Sequence, residues 1–134
     1  MDYDFLVVED SDERMKKLKQ FLIGFSYLRA STALEAINLL QKNSFKWLML
    51  DHDLAEEHYD LAPRDWSKVS GTGQDVADWV AEHSPELEGV IIHSLNPSGG
   101  KNMQRTLERW GYRVEYRPGC WDYRYGPIEK IIEE

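Results

Sequence analysis

The sequence feature that most constrains the fold is the apolar run Trp47 to Leu50, which ends abruptly in Asp51, His52 and Asp53. A strand gains from being apolar at consecutive positions only when both of its faces are covered, as in a parallel sheet. Its polar end then lies at an edge of that sheet. In open α/β sheets, ligands bind in the crevice beyond the carboxyl ends of the strands. The three polar residues are therefore candidate functional residues.

Four further strands are predicted by short apolar or alternating segments, so that the five strands cover residues 4–8, 26–30, 47–50, 89–92 and 112–116. Segments with helical apolar spacing follow each strand, and two of them begin with the capping-box spacing Thr32 to Glu35 and Thr72 to Asp75. Five strand–helix units with right-handed crossovers predict an α/β fold with a doubly wound, five-stranded parallel sheet in the flavodoxin-like order 2-1-3-4-5. At 134 residues we expect a single domain over 1–134. The polar stretch 54–71 after the third strand is predicted to be a long functional or mobile loop.

The composition limits the kinds of molecule that the protein could bind. With 16 basic and 24 acidic residues the net charge is −8, which opposes binding to long nucleic acids through their phosphate backbone. A small anionic ligand would have to be met by local positive charge, backbone amides or a metal ion. No apolar stretch approaches the roughly 20 residues that span a membrane, the amino terminus is acidic, and Cys120 is the only cysteine. We therefore expect a cytoplasmic protein without a membrane partner, and a homodimer stays open.

The predicted strand order brings three polar strand ends to one crevice. Strands one and three are neighbours at the point where the order reverses, and strand four lies beside strand three. The residues that would line this crevice are Glu9, Asp10, Asp51, His52, Asp53, His93, Ser94 and Asn96.

Over nearly the whole chain these residues resemble a response-regulator receiver domain. Glu9 and Asp10 match the Mg²⁺-binding acids of that family, and Asp51 matches its phosphoacceptor. Ser94 matches the switch hydroxyl, and Arg117-Pro118 matches the lysine–proline pair. The resemblance implies a receiver-like fold.

Two segments depart from signalling receivers. Asp51 to Leu54 reads Asp-His-Asp-Leu, and His93 to Pro97 reads His-Ser-Leu-Asn-Pro. Both are similar to motifs of the cyclic-phosphate processing receiver domains, a family derived from receivers. This resemblance implies a cyclic-phosphate ligand.

A metal site is predicted at Glu9, Asp10 and Asp51. Three carboxylates at adjacent strand ends repel one another unless a cation lies among them, and hard oxygen ligands suit Mg²⁺ or Mn²⁺. Zn²⁺ is the alternative if His52 is a ligand. The structural alternative is that Asp10 caps a helix and Asp51 pairs with Arg117.

His93 and His52 are candidate general acid–base residues, because an imidazole titrates close to neutral pH. His93 is favoured, since Ser94 and Asn96 beside it can orient a phosphate. In an extended chain His52 points away from Asp51 and Asp53, so it is also interpreted as a supporting residue.

Phosphate-binding groups are predicted beyond the fourth strand. Gly99 and Gly100 precede a helix and let backbone amides approach an anion, while Lys101 and Arg117 add positive charge. For the nearby Trp121, packing against the last helix is favoured over stacking on a base.

Three functions remain open from the sequence. The leading hypothesis is a metal-dependent phosphoesterase that processes a cyclic phosphate on a nucleotide or ribose-containing substrate. His93, Asp51, His52 and Asp53 would act in catalysis, and the phosphate would be bound by Ser94, Asn96, Gly99, Gly100, Lys101 and Arg117. The alternatives are a receiver phosphorylated on Asp51 and a protein that binds a nucleotide signal without catalysis.

Overall fold

The computed structural model describes residues 1–54 and 71–133. Five parallel strands form one sheet in the order β2-β1-β3-β4-β5. They are β1 (Asp2–Val8), β2 (Tyr27–Ala30), β3 (Ser44–Leu50), β4 (Gly89–Ile92) and β5 (Val114–Tyr116). The predicted doubly wound α/β fold is confirmed. Of the predicted loop 54–71, residues 55–70 lie outside the described part of the chain.

Helices follow the strands as the apolar spacing predicts. They are α1 (Asp12–Phe21), α2 (Ala33–Lys42), α3 (Gly73–His83), α4 (Pro97–Arg109) and α5 (Ile128–Glu133), and a short 3₁₀ turn, Cys120–Asp122, precedes α5. Thr32 caps α2 by accepting a hydrogen bond from the Glu35 amide, and Thr72 and Asp75 form a complete capping box on α3. None of the helices in the described ranges is long and apolar enough to cross a membrane.

The core explains why the strands are apolar at consecutive positions. Leu48 and Leu50 of β3 belong to a buried cluster with residues of α2, α3 and α4 on one face of the sheet. Trp47 and Met49 belong to a second cluster with α1, α5 and Cys120 on the other face. Because side chains alternate along a strand, covering both faces buries every position of the run. Asp51 follows directly after the part of β3 that is covered on both faces.

The strand register fixes which side chains meet at the carboxyl edge. Val8 of β1 pairs with Leu50 of β3, and Leu50 pairs with Ile92 of β4. The residues that come next, Glu9 and Asp51, are therefore near neighbours, and His93 lies beside Asp51. The Asp51 amide donates to the Val8 carbonyl and the His93 amide to the Leu50 carbonyl, which extends the pairing to these positions.

Candidate functional site

Glu9, Asp10 and Asp51 form a compact acidic cluster at the carboxyl edge of the sheet. Each of the three side chains has a carboxylate oxygen that lies within 4.8 Å of the other two. Glu9 is fully buried, Asp51 is 5% exposed, and Asp10 is intermediate. The structure therefore brings together the three residues predicted to hold a metal ion.

The positive charge nearest this cluster comes from Arg14 on α1. Its Nη2 lies 2.9 Å from Glu9 Oε2 and 3.5 Å from both Asp10 Oδ1 and Asp51 Oδ2. The structural alternative considered for Asp51, an ion pair with Arg117, is replaced by this contact. Asp10 does not cap α1 either, because the Ser11 hydroxyl accepts the hydrogen bond from the Arg14 amide.

The electrostatics of the three acids differ. Burial alone raises the pKa of Glu9, but hydrogen bonds from His93 and Arg14 outweigh it and lower that pKa to about 2. Burial raises the pKa of Asp51, and the charge of Glu9 raises it further. The same two causes raise the pKa of Asp10. The pKa of Glu9 is thus shifted downward, whereas those of Asp51 and Asp10 are shifted upward.

His93 lies fully buried beside Glu9. Its Nε2 is 3.1 Å from Glu9 Oε1, and its ring meets the Trp121 ring edge-on at 5.9 Å between centroids. Because Glu9 is ionised it can only accept, so the proton of this hydrogen bond belongs to His93 Nε2. His93 Nδ1 is buried and has no hydrogen-bond partner in the described part of the chain. An unpartnered buried nitrogen of this kind has an energetic cost and points to a ligand or to a proton-transfer role.

His52, Asp53 and Asn96 make a second polar group at the rim. Asp53 Oδ1 lies 2.8 Å from His52 Nδ1 and accepts a hydrogen bond of 3.2 Å from Asn96 Nδ2. The hydrogen bond from His52 lowers the pKa of Asp53, and the one from Asn96 lowers it further. His52 packs on the start of α4, where a Cβ atom on Gly99 would come within 2.5 Å of its ring. The His52 ring is thereby held between Asp53 and the start of α4.

A cleft of about 150 Å³ lies where these groups meet. It is lined by Arg14, Asp51, Asp53, His93, Leu95, Asn96 and Trp121. A larger open depression of about 980 Å³ lies at the opposite edge of the sheet, around Tyr3, Phe45 and Leu87. We take the smaller cleft as the site, because it contains the buried charges and the imidazole.

Several predicted phosphate-binding residues lie outside this lining. Ser94 is buried and its Oγ accepts from the Asn96 amide, so His93 is the residue of that pair that reaches the cleft. Arg117 donates to Glu115 at 2.6 Å and lies over the Tyr125 ring. Lys101 lies over the Tyr116 ring, 5.7 Å from its centroid.

The two glycines of α4 serve close packing. A Cβ atom on Gly100 would come within 2.7 Å of the Tyr116 ring, as one on Gly99 would meet His52. The Gly99 amide already donates to Asn96 Oδ1 at 3.0 Å, which caps the helix. In the described structure that amide is satisfied inside the protein.

Three lining residues were missed or placed differently by the sequence analysis, namely Arg14, Leu95 and Trp121. Arg14 stands four residues after Asp10 at the start of a helix, a spacing that brings side chains together and was a usable signal. Trp121 packs against the buried cluster that includes residues of α5, which agrees with the packing favoured from the sequence, and it also lines the cleft.

Comparisons with known proteins agree with this architecture. The family model described as "Cyclic-phosphate processing Receiver domain" matches residues 3–109. A search of curated proteins finds no match.

Among solved structures, the chain resembles a CheY-like receiver domain protein from Methanospirillum hungatei JF-1, with 16% identity, a TM-score of 0.63, and 87% and 82% of the two chains covered. It also resembles the signal receiver domain of a putative LuxO repressor protein from Vibrio parahaemolyticus, with 21% identity, a TM-score of 0.59 and coverage of 87% and 78%. The Mn²⁺-bound form of response regulator Rcp1 matches with 14% identity, a TM-score of 0.56 and coverage of 86% and 80%. At these identities the likeness establishes the receiver fold and nothing finer.

Proposed function

The chain belongs to the cyclic-phosphate processing receiver domains, and from this membership we propose that its cleft binds a cyclic phosphate ester and hydrolyses it with the help of a divalent metal ion. The observation that carries the proposal is the His93–Glu9 pair beside the acidic cluster, with His93 Nδ1 left without a partner. A receiver that only accepts and reads a phosphoryl group does not need a buried imidazole there.

The acidic cluster suits a metal ion by the chemistry of its donors. Glu9, Asp10 and Asp51 offer hard oxygen atoms, the preferred ligands of Mg²⁺ and Mn²⁺. Burial and the charge of Glu9 raise the pKa of Asp51 and of Asp10, and a divalent cation among the three carboxylates would offset both effects. When bound, such an ion would act as a Lewis acid on a phosphoryl oxygen. The Mn²⁺-bound Rcp1 structure is a precedent within the fold.

His93 has the hydrogen bonding of a general base. With Glu9 accepting the hydrogen bond from Nε2, the imidazole in its neutral form presents a free lone pair at Nδ1. In the proposed hydrolysis, Nδ1 takes a proton from water as its oxygen bonds to phosphorus. One ring P–O bond breaks, and the proton is returned to the leaving alkoxide. Asn96 and Asp53 at the rim would bind the hydroxyl groups of a ribose-like ligand.

The test is turnover of defined cyclic phosphates. Purified protein with Mn²⁺ or Mg²⁺ is incubated with 2′,3′-cyclic and 3′,5′-cyclic nucleotides, and the products are resolved by phosphorus NMR. His93→Gln is expected to lower the rate about 10²-fold or more. His83→Gln is the matched control, because His83 is exposed and stacks on Trp79 away from the cleft. If no cyclic phosphate is consumed, or if His93→Gln matches the wild type, the proposal fails. Binding with the ligand recovered intact would favour the non-catalytic alternative.

A second candidate is phosphorylation of Asp51. It is favoured by the position of Asp51 at the end of β3, within the acidic cluster, in a fold shared with response regulators. Acetyl phosphate with Mg²⁺ would then add one phosphoryl group to the intact mass of the wild type but not of Asp51→Asn. Acyl phosphate without consumption of any cyclic ester would select this candidate over hydrolysis.

A further inference from the structure

We propose that Arg14 is the residue that binds the phosphate of the ligand, and that a metal ion releases it for this task by taking its place among the carboxylates. This inference rests on the proposed function, because it concerns the ligand of the same cleft. It gives a role in the cleft to a residue of α1 that the sequence analysis did not select.

Arg14 neutralises the acidic cluster only in part. One guanidinium serves all three carboxylates, at 2.9 Å from Glu9 and at the longer distance of 3.5 Å from Asp10 and Asp51. Its Nε also donates to the same Glu9 oxygen at 3.1 Å. Only Glu9 is therefore paired at full strength.

A divalent ion and the guanidinium compete for the same oxygen atoms. At separations of about 4 Å two positive charges repel each other even with the moderate effective dielectric of a partly exposed site. The Arg14 side chain is 34% exposed and lines the cleft, so it can move without unfolding α1.

The cleft has no other lining cation among the residues that the structure describes. Arg117 is paired with Glu115, and Lys101 lies over Tyr116 on the side of α4. A phosphate bound near Asp51 would meet negative charge unless a cation neutralises it. Arg14 supplies one, and its planar fork of donors matches two phosphate oxygens at once.

The experiment measures binding rather than turnover. Mn²⁺ affinity is measured by electron paramagnetic resonance, with and without inorganic phosphate, for the wild type, Arg14→Gln and the control Lys17→Gln. Lys17 is an exposed residue of the same helix, so its loss removes one positive charge outside the cleft. Without phosphate, Arg14→Gln is expected to bind Mn²⁺ about tenfold more tightly, since a competing cation is gone.

Phosphate gives the second readout. In the wild type, phosphate should tighten Mn²⁺ binding, and this coupling should disappear in Arg14→Gln and persist in Lys17→Gln. Arg14→Lys keeps the charge without the fork, so it should keep the weaker Mn²⁺ affinity and lose about tenfold in phosphate affinity. Circular dichroism verifies that each variant is folded, and Arg14→Lys carries the test if Arg14→Gln is not.

Three results would overturn the inference. They are a wild type that binds no Mn²⁺, phosphate coupling that survives in Arg14→Gln, and Mn²⁺ binding that is weakened by that substitution. Loss of cyclic-ester hydrolysis alone would reject the proposed function and leave these binding results standing.

Discussion

Glu9→Gln is the substitution whose effect on stability can be worked out most fully, because Glu9 is completely buried and its carboxylate binds both His93 and Arg14. Hydrogen bonds from His93 and Arg14 overcome burial and lower its pKa from 4.5 to about 2. At about 1.4 kcal/mol for each pKa unit, the ionised form stabilises the fold by about 3 kcal/mol at neutral pH. Loss of the charge also relieves repulsion with Asp51 and Asp10. We therefore expect a net loss of about 2 kcal/mol in the free energy of unfolding of metal-free protein.

The pH dependence follows from the sign of this change in pKa. A carboxyl whose pKa is lowered by folding stabilises the protein above its unfolded pKa, and that stability is lost as the pH falls through the folded value. The difference between wild type and Glu9→Gln should be complete above about pH 5 and should shrink from there toward pH 2. Urea unfolding in the presence of EDTA, followed by tryptophan fluorescence at pH 7, 5 and 3.5, measures it.

Glu13→Gln is the matched control for this experiment. Glu13 is an exposed residue of α1, four residues further along the chain, and should change stability by less than about 0.5 kcal/mol. A Glu9→Gln protein as stable as the wild type at pH 7 would refute the reasoning. So would a stability difference that stays the same across the pH range.

Two further predictions concern Asp51 and the glycine that packs against its backbone. Asp51→Asn should stabilise the metal-free protein at pH 7, because burial and the charge of Glu9 raise the Asp51 pKa and an amide of the same shape removes that cost. Chemical denaturation in EDTA measures the gain in the free energy of unfolding, which should diminish as the pH falls through the raised pKa. A destabilised variant would contradict the prediction. Gly73→Ala should lower the free energy of unfolding by more than about 2 kcal/mol, since its Cβ would lie 1.9 Å from the backbone oxygen of Asp51 and a main-chain shift is required. A thermal melting temperature equal to that of the wild type would contradict this prediction.

The fold was predictable because its signals are local. Apolar runs, helical spacing and the caps at Thr32 and Thr72 each determine a few neighbouring residues, and the right-handed crossover then fixes how the units assemble. The gathering of Glu9, Asp10 and Asp51 was predictable for the same reason. Parallel strands bring their carboxyl ends to one edge, whatever the details of packing.

The finer site depends on register and on side-chain direction, which the sequence does not display. Pairing of Leu50 with Ile92 places His93, and not Ser94, against Asp51. Arg117 lies at the predicted strand end, but its guanidinium forms a salt bridge with the nearby carboxylate of Glu115. Such a local competitor is visible in the sequence, whereas the outcome of the competition is not.

The contact between Arg14 and Asp51 was still harder to foresee, since it joins residues 37 positions apart through a flexible side chain. It nevertheless decides the charge balance of the acidic cluster. Glu9, Asp10 and Asp51 carry three negative charges when ionised, and Arg14 carries one positive charge. The remaining charge of −2 is that which a divalent cation neutralises. With such a cation bound, the charge of Arg14 is no longer required by the acids and can be matched by an anionic ligand. A cleft balanced in this way would bind metal and phosphate together better than it binds either alone.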